Sequence, residues 1–173
     1  MNNELEMKRH SLAHLMAAAV LRLYPHAKFG IGPIVENGFY YDIDLGDTTL
    51  SPEDLPKIQK LMKVMMKEKL AFERRELSLD AALEIFKAKE QDYKLELLND
   101  LKEKGTTLLD EIEELDAVDK ASVYTTGDFV DLCRGPHVED SQKLKSTAFR
   151  LTKLAGAYWR GDENNKMLTR IYA

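Results

Sequence analysis

The sequence predicts an α+β fold: a mostly antiparallel sheet packed with helices, forming a single main domain with room for a small α/β appendage. Three observations lead there. Apolar residues recur at helical spacing early in the chain, a hairpin signal interrupts them between Lys28 and Asp44, and after Ala121 short β-branched and aromatic runs alternate with turn residues. Helices and a hairpin come first and strands last, without the strand–helix alternation of a parallel sheet. A length of 173 residues suits one well-buried core, and neither an internal repeat nor a low-complexity linker divides it.

From about Glu6 to Tyr24, the residues Leu12, Leu15, Met16, Ala19, Val20 and Leu23 mark one face of a helix that Pro25 ends. The next segment, Lys28 to Asp44, reads as a β-hairpin, with Asn37-Gly38 supplying the positive-φ positions of a tight turn. Ser51-Pro52-Glu53-Asp54 offers a cap, a proline at the first helical position and acidic groups for the helix dipole. Leu55, Ile58, Met62 and Met65 then form the apolar stripe of a helix to about Leu70, with the methionines read as core. Phe72 to Leu77 is a short strand and Ser78 caps a helix carrying Ala82, Leu83 and Phe86, whereas Asp92 to Leu101 is ambiguous. The acidic stretch beyond it reads as a surface connection, partly helical. Strands are expected at Val123-Tyr124-Thr125, Phe129 to Cys133, Ala148 to Leu154 and Met167 to Tyr172. The organisation is thus a helix and hairpin over 6–50, a helical insertion over roughly 51–121 and a strand-rich part over 122–173, all within one domain spanning 1–173.

No apolar run approaches the roughly 20 residues that span a bilayer, and the N-terminus has no signal-peptide core, so no membrane association is expected. The single cysteine, Cys133, has no internal partner for a disulfide, which fits a cytoplasmic protein. The net charge of −5 argues against nucleic-acid binding only if it is evenly spread. It is not: Asn99 to Ala121 holds eight acidic and three basic residues, whereas Ser141 to Ala173 holds seven basic and two acidic. A basic surface able to contact phosphates is compatible with that asymmetry, as are two solvated faces of opposite sign.

His10-Ser-Leu-Ala-His14 places two imidazoles about 40° apart around a helix axis, so both project to one side. Cys133-Arg-Gly-Pro-His137 puts a thiol and an imidazole where an apolar strand breaks into a turn, a common place to present functional groups. Each pattern alone is weak. Together they use the chain's one cysteine and three of its four histidines, a combination that fits three chemistries. Zinc accepts three imidazoles and one thiolate in a tetrahedron. Metal-free hydrolysis uses neutral imidazoles to position water and take its proton. A nucleophilic Cys133 activated by His137 is the third.

RHSLAHLM, FGIGPIVENGFYYDID, DFVDLCRGPHV and AGAYWRGDENNKMLTRIY, in that order, resemble the editing domain of bacterial threonyl-tRNA synthetases over nearly the whole chain. Editing domains of alanyl-tRNA synthetases share the paired H-x3-H and C-x3-H. The extended hairpin and the YWRGD segment favour the threonyl branch. The resemblance implies a hydrolase that removes serine wrongly attached to threonine tRNA, because a synthetic site built for threonine cannot exclude a smaller amino acid by size. It implies as catalytic residues His10, His14, Cys133 and His137, together with Asp131, which holds a substrate amino group or orients an imidazole, and Lys94, which stabilises developing negative charge. Asp131 also falls on the Cys133 face of an extended strand. Tyr41 is expected to stack on or hydrogen-bond the terminal adenosine. Trp159 and Arg160 are either RNA contacts or structural anchors, and His26 is expected to be exposed. The implied partners are seryl-tRNA for threonine and the remaining synthetase modules, from which this chain reads as excised. No required cofactor is implied. Two alternatives stay open: a zinc-dependent alanyl-type deacylase using the same four residues, and a non-catalytic tRNA-binding module.

Overall fold

The computed structural model describes residues 3–105 and 119–173. The elements in order are α1 (Asn3–Leu23), β1 (Lys28–Phe29), β2 (Ile34–Val35), β3 (Gly38–Asp44), α2 (Leu55–Met65), β4 (Glu73–Ser78), α3 (Leu79–Ala88), α4 (Asp92–Lys104), β5 (Lys120–Thr126), β6 (Phe129–Leu132), β7 (Lys153–Tyr158) and β8 (Met167–Tyr172). Short 3-10 turns precede α2 at Pro52–Asp54, follow β6 at Ser141–Leu144 and follow β7 at Trp159–Gly161. Among the described residues, one sheet runs β1-β3-β8-β7 with β2 added to β3, the other runs β4-β5-β6, and every ladder is antiparallel. The fold is α+β, as the order of sequence patterns predicts. Among the described residues no helix is long and apolar enough to cross a membrane.

Helix α1 is the axis of the molecule. Its periodic leucines promise one buried face, yet every residue from Ser11 to Val20 is buried. Ala13, Ala17, Ala18 and Ala19 occupy the turns between the larger side chains, and their small size lets α2, β3 and β6 close on the helix from different sides. A second apolar cluster joins Leu79, Ala82 and Phe86 of α3 and Leu98 and Leu101 of α4 to Ala121, Val123 and Val130 on the second sheet. Strand β6 divides the two: Val130 faces that cluster, while Phe129 faces the core around α1. The alternation of a strand therefore turns Asp131 toward α1 as well.

Four local expectations shift. The hairpin forms, but its register pairs Val35 with Gly38, so Glu36 and Asn37 make the turn and Gly38 belongs to the strand. Gly38 serves close approach instead: a Cβ there would sit 1.9 Å from the Ala173 carbonyl oxygen, beside the point where Phe39 and Ala173 exchange backbone hydrogen bonds. Gly38→Ala is accordingly expected to lower stability by about 1–3 kcal/mol, read as a lower thermal midpoint. Helix α2 stops at Met65 rather than near Leu70, and the chain reverses through Lys69 at φ 57°. The strand expected from Ala148 starts at Lys153, because at Leu151 the N–H donates to Gln59 Oε1 of α2 and the side chain fills the core. The ambiguous segment from Asp92 is helix α4, ended by Gly105 at φ 69°. Most of the acidic connection expected from Lys102 to Asp119 lies outside the described residues.

Candidate active site

Helix α1 and the loop after β6 bring the four predicted residues together. His10 and His14 lie one helical turn apart with ring centroids at 5.1 Å, and the His137 ring lies 4.1 Å from each of them. Cys133 Sγ sits 3.2 Å from His10 Nε2, 3.3 Å from His137 Nε2 and 3.2 Å from the Gly135 N–H, which donates to it. One nitrogen from each histidine and the sulfur all fall within 4.8 Å of one another. His14 is buried, whereas His10, Cys133 and His137 are partly exposed, so the cluster opens to solvent on one side. The turn between Cys133 and His137 is tightly packed: Gly135, at φ 79°, would carry a Cβ 2.3 Å from the Tyr124 hydroxyl.

Behind the quartet lies a second polar group. Asp131, 4% exposed, receives three donors: the Tyr41 hydroxyl at 2.6 Å, His14 Nε2 at 3.0 Å and the Lys94 ammonium at 2.5 Å. Lys94, 2% exposed, also donates to the Gly30 carbonyl at 2.6 Å and to the Tyr41 hydroxyl at 3.2 Å. A buried carboxylate is tolerated only when paired and hydrogen-bonded, and here both conditions are met. Burial pushes the Asp131 carboxyl up, but Lys94 and His14 more than offset it and hold it below the usual carboxylate range. Burial also favours the neutral Tyr41 phenol, and adjacent Asp131 raises it further.

The charge pattern extends into the quartet. Burial lowers His14, yet the Cys133 sulfur and Asp131 outweigh it and raise the imidazole to about 9. Burial raises the Cys133 thiol, whereas the charge on His14 and the contacts of the surrounding imidazoles with the sulfur bring it down to about 4. His137 is lowered to about 4, chiefly by burial, with its contact to Cys133 opposing and the charge on His14 adding to the fall. These directions favour a negative sulfur and a positive His14 beside a neutral His137 ring. That set can bind a polar group and accept a proton.

The structure thus gathers His10, His14, Lys94, Asp131, Cys133, His137 and Tyr41 into one region. Their contacts differ in kind. Asp131 is committed to orienting His14 and neutralising Lys94. Tyr41 faces the site, but its ring is wholly buried edge-on against Phe29 and Phe129, leaving no face on which a base could stack. Trp159 is an anchor rather than a contact surface: it is buried, packs on Tyr93 and donates to Glu96 at 2.8 Å. Arg160 pairs with Asp100, Lys166 with Asp44 and Arg170 with Asp42, so much of the basic C-terminal charge is spent within the fold. His26 is exposed, as expected.

Three neighbours were not legible in the sequence. Ser11, fully buried, touches His137 Nδ1 at 3.1 Å; Phe72 stacks on the His137 ring at 5.4 Å; and Tyr124 meets it edge-on at 4.4 Å. The only signal for Ser11 in the sequence is its place between His10 and His14 in a helix. Phe72 and Tyr124 carry no such signal.

The donor set is compatible with zinc. Three imidazole nitrogens and one sulfur lie within 4.8 Å of one another, a little wider than a tetrahedral zinc shell and able to close on an ion by a small contraction, and His14 Nδ1 is buried with no hydrogen-bond partner. His10, His14, Cys133 and His137 would be the ligands.

Residues 121–172 match the family described as "Threonyl and Alanyl tRNA synthetase second additional domain". The threonine–tRNA ligase of Clostridioides difficile (strain 630) is 53% identical over 167 residues, 96% of this chain and 24% of the relative. That of Geobacillus sp. (strain WCH70) is 48% identical over 172 residues, 99% of this chain and 24% of the relative. That of Coxiella burnetii (strain RSA 493 / Nine Mile phase I) is 51% identical over 168 residues, 97% of this chain and 23% of the relative. The chain spans about a quarter of the length of these relatives. The chain is thus similar, along nearly its whole length and at about half of its positions, to a quarter of each of these threonine–tRNA ligases, and its strand-rich end matches the second additional domain shared by threonyl- and alanyl-tRNA synthetases.

Proposed function

We propose that this chain hydrolyses the ester linking serine to threonine tRNA, a proofreading activity that complements the synthetic modules of a threonyl-tRNA synthetase. The observation that carries the reading is the convergence of the Cys133 sulfur with the His10, His14 and His137 rings in a partly exposed cluster, backed by a buried carboxylate that fixes one of the rings. Water attacks the aminoacyl carbonyl at the terminal adenosine. A neutral imidazole takes its proton, and the positive His14 edge favours the charge that develops on the carbonyl oxygen. Serine is smaller than threonine by one methyl group, so a pocket too tight for that methyl reverses the selectivity of a synthetic site. Lys94 acts through Asp131 and Tyr41 in this arrangement, since its ammonium is committed to protein groups.

The zinc-dependent reading draws support from the donor set alone. A zinc with an open coordination position would lower the pKa of its bound water. Occupation of all four residues closes the tetrahedron and leaves no such position. Added Zn2+ is therefore expected to slow ester hydrolysis, measured as deacylation rate against free zinc; a rate that rises with zinc and falls on chelation would favour the metal-dependent reading. A tRNA-binding module without chemistry is separated by incubating the chain with seryl-tRNA for threonine: release of serine is expected, whereas binding with steep salt dependence and no release would support the module.

A further inference from the structure

The Ser11 hydroxyl has one proton and three partners. It accepts from the Val138 N–H at 3.0 Å and lies 2.8 Å from the Met7 carbonyl, an acceptor only, to which it must donate. Its remaining contact, His137 Nδ1 at 3.1 Å, can then be made only if the ring nitrogen is the donor. We propose that Ser11 is a positioning residue that fixes His137 as the Nδ1–H tautomer and so presents its Nε2 lone pair to the reaction pocket beside Cys133.

The geometry leaves the hydroxyl little freedom. Ser11 is completely buried within α1, and both its other partners are backbone groups held by secondary structure or by the loop that carries His137 itself. The Val138 bond ties that loop to α1 at the residue next to His137. The Phe72 ring, stacked within 12° of parallel, and the edge of Tyr124 hold the imidazole plane, so the ring cannot turn to exchange its nitrogens without losing both contacts. Nε2 carries no proton of its own, and its partner across the 3.3 Å gap is the Cys133 sulfur. During reaction the water oxygen bonds to the carbonyl carbon, its proton passes to Nε2, and the same proton returns to the ribose oxygen that leaves. A carboxylate fixes the base tautomer in the serine-protease triad; here a serine hydroxyl does so.

The catalytic consequence rests on the ester-hydrolysis reading, whereas the tautomer does not, and two measurements keep them apart. Nitrogen-15 NMR of the His137 ring in the unsubstituted chain is expected to show a protonated Nδ1 and an unprotonated Nε2 near neutral pH. The opposite tautomer would overturn the proposal whatever the activity. In Ser11→Ala the ring is expected to become a tautomer mixture, with kcat for seryl-tRNA hydrolysis reduced about 10–100-fold and KM nearly unchanged. Ser11→Thr, which keeps the hydroxyl, is expected to restore the Nδ1–H signal and most of the rate. Full activity in Ser11→Ala with a randomised tautomer would also overturn it. Absence of hydrolysis in the unsubstituted chain, with the Nδ1–H tautomer present, would count against the functional reading and leave the tautomer assignment standing.

Discussion

Asp131→Asn is expected to destabilise the chain by about 3–5 kcal/mol, the usual cost of leaving buried charges without their counter-ion. Three donors converge on the carboxylate: the Tyr41 hydroxyl, the His14 Nε2–H and the Lys94 ammonium. A carboxamide offers one acceptor oxygen and one NH2, so at least one donor must face another donor in a dry environment, and the positive charges of Lys94 and His14 lose their partner. Chemical denaturation at neutral pH measures the loss. The pH dependence carries its own sign. Because folding lowers the Asp131 pKa, its contribution is present above the unfolded value near 3.8 and is lost as pH falls through the lower folded one. The substituted chain should therefore show a flatter acid limb than the parent.

His14→Ala is expected to reduce seryl-ester hydrolysis about 100- to 10,000-fold, the range for removing a group that moves or steadies a proton in the transition state. The ring links the quartet to Asp131, with Nε2 on the carboxylate and its positive charge holding Cys133 as thiolate at about 4. Without it the thiol titrates upward toward its ordinary range, and the pocket loses the cation beside the carbonyl. The stability cost should be smaller than for Asp131→Asn, because Lys94 and Tyr41 still satisfy the carboxylate. Since folding raises the His14 pKa to about 9, its contribution is complete below the unfolded value near 6.5 and disappears as pH rises through about 9. The alanine chain should lack that alkaline decline. Single-turnover deacylation and thermal midpoints across pH separate the two effects.

Periodicity carries the elements whose partners are local. Helix α1, the β3 hairpin, the Ser78 cap, whose hydroxyl accepts the Ala81 N–H at 3.2 Å, and β8 are all legible in the residues that form them. Tertiary contacts decide the rest. Asn37-Gly38 has the composition of a tight turn, yet the approach of Ala173 draws Gly38 into the strand. The strand expected from Ala148 is overridden by Gln59, which captures the Leu151 N–H before the ladder starts at Lys153. The site divides the same way. Helical spacing aligns His10 with His14, and strand alternation places Asp131 on the side of Cys133. Burial of Tyr41 and Lys94 depends on how β3 and α4 close around Asp131, and the role of Ser11 depends on a loop more than a hundred positions away in sequence, neither of which a local pattern contains.

The central claim, that the quartet forms a pocket selective for the smaller amino acid, is tested most directly by measuring single-turnover hydrolysis of seryl and threonyl esters on the same threonine tRNA. Faster release of serine, with the threonyl ester spared and the difference abolished together with activity in His14→Ala, is the expected result. Equal rates on both esters, or undiminished hydrolysis by chains lacking His10 and His14, would contradict the account.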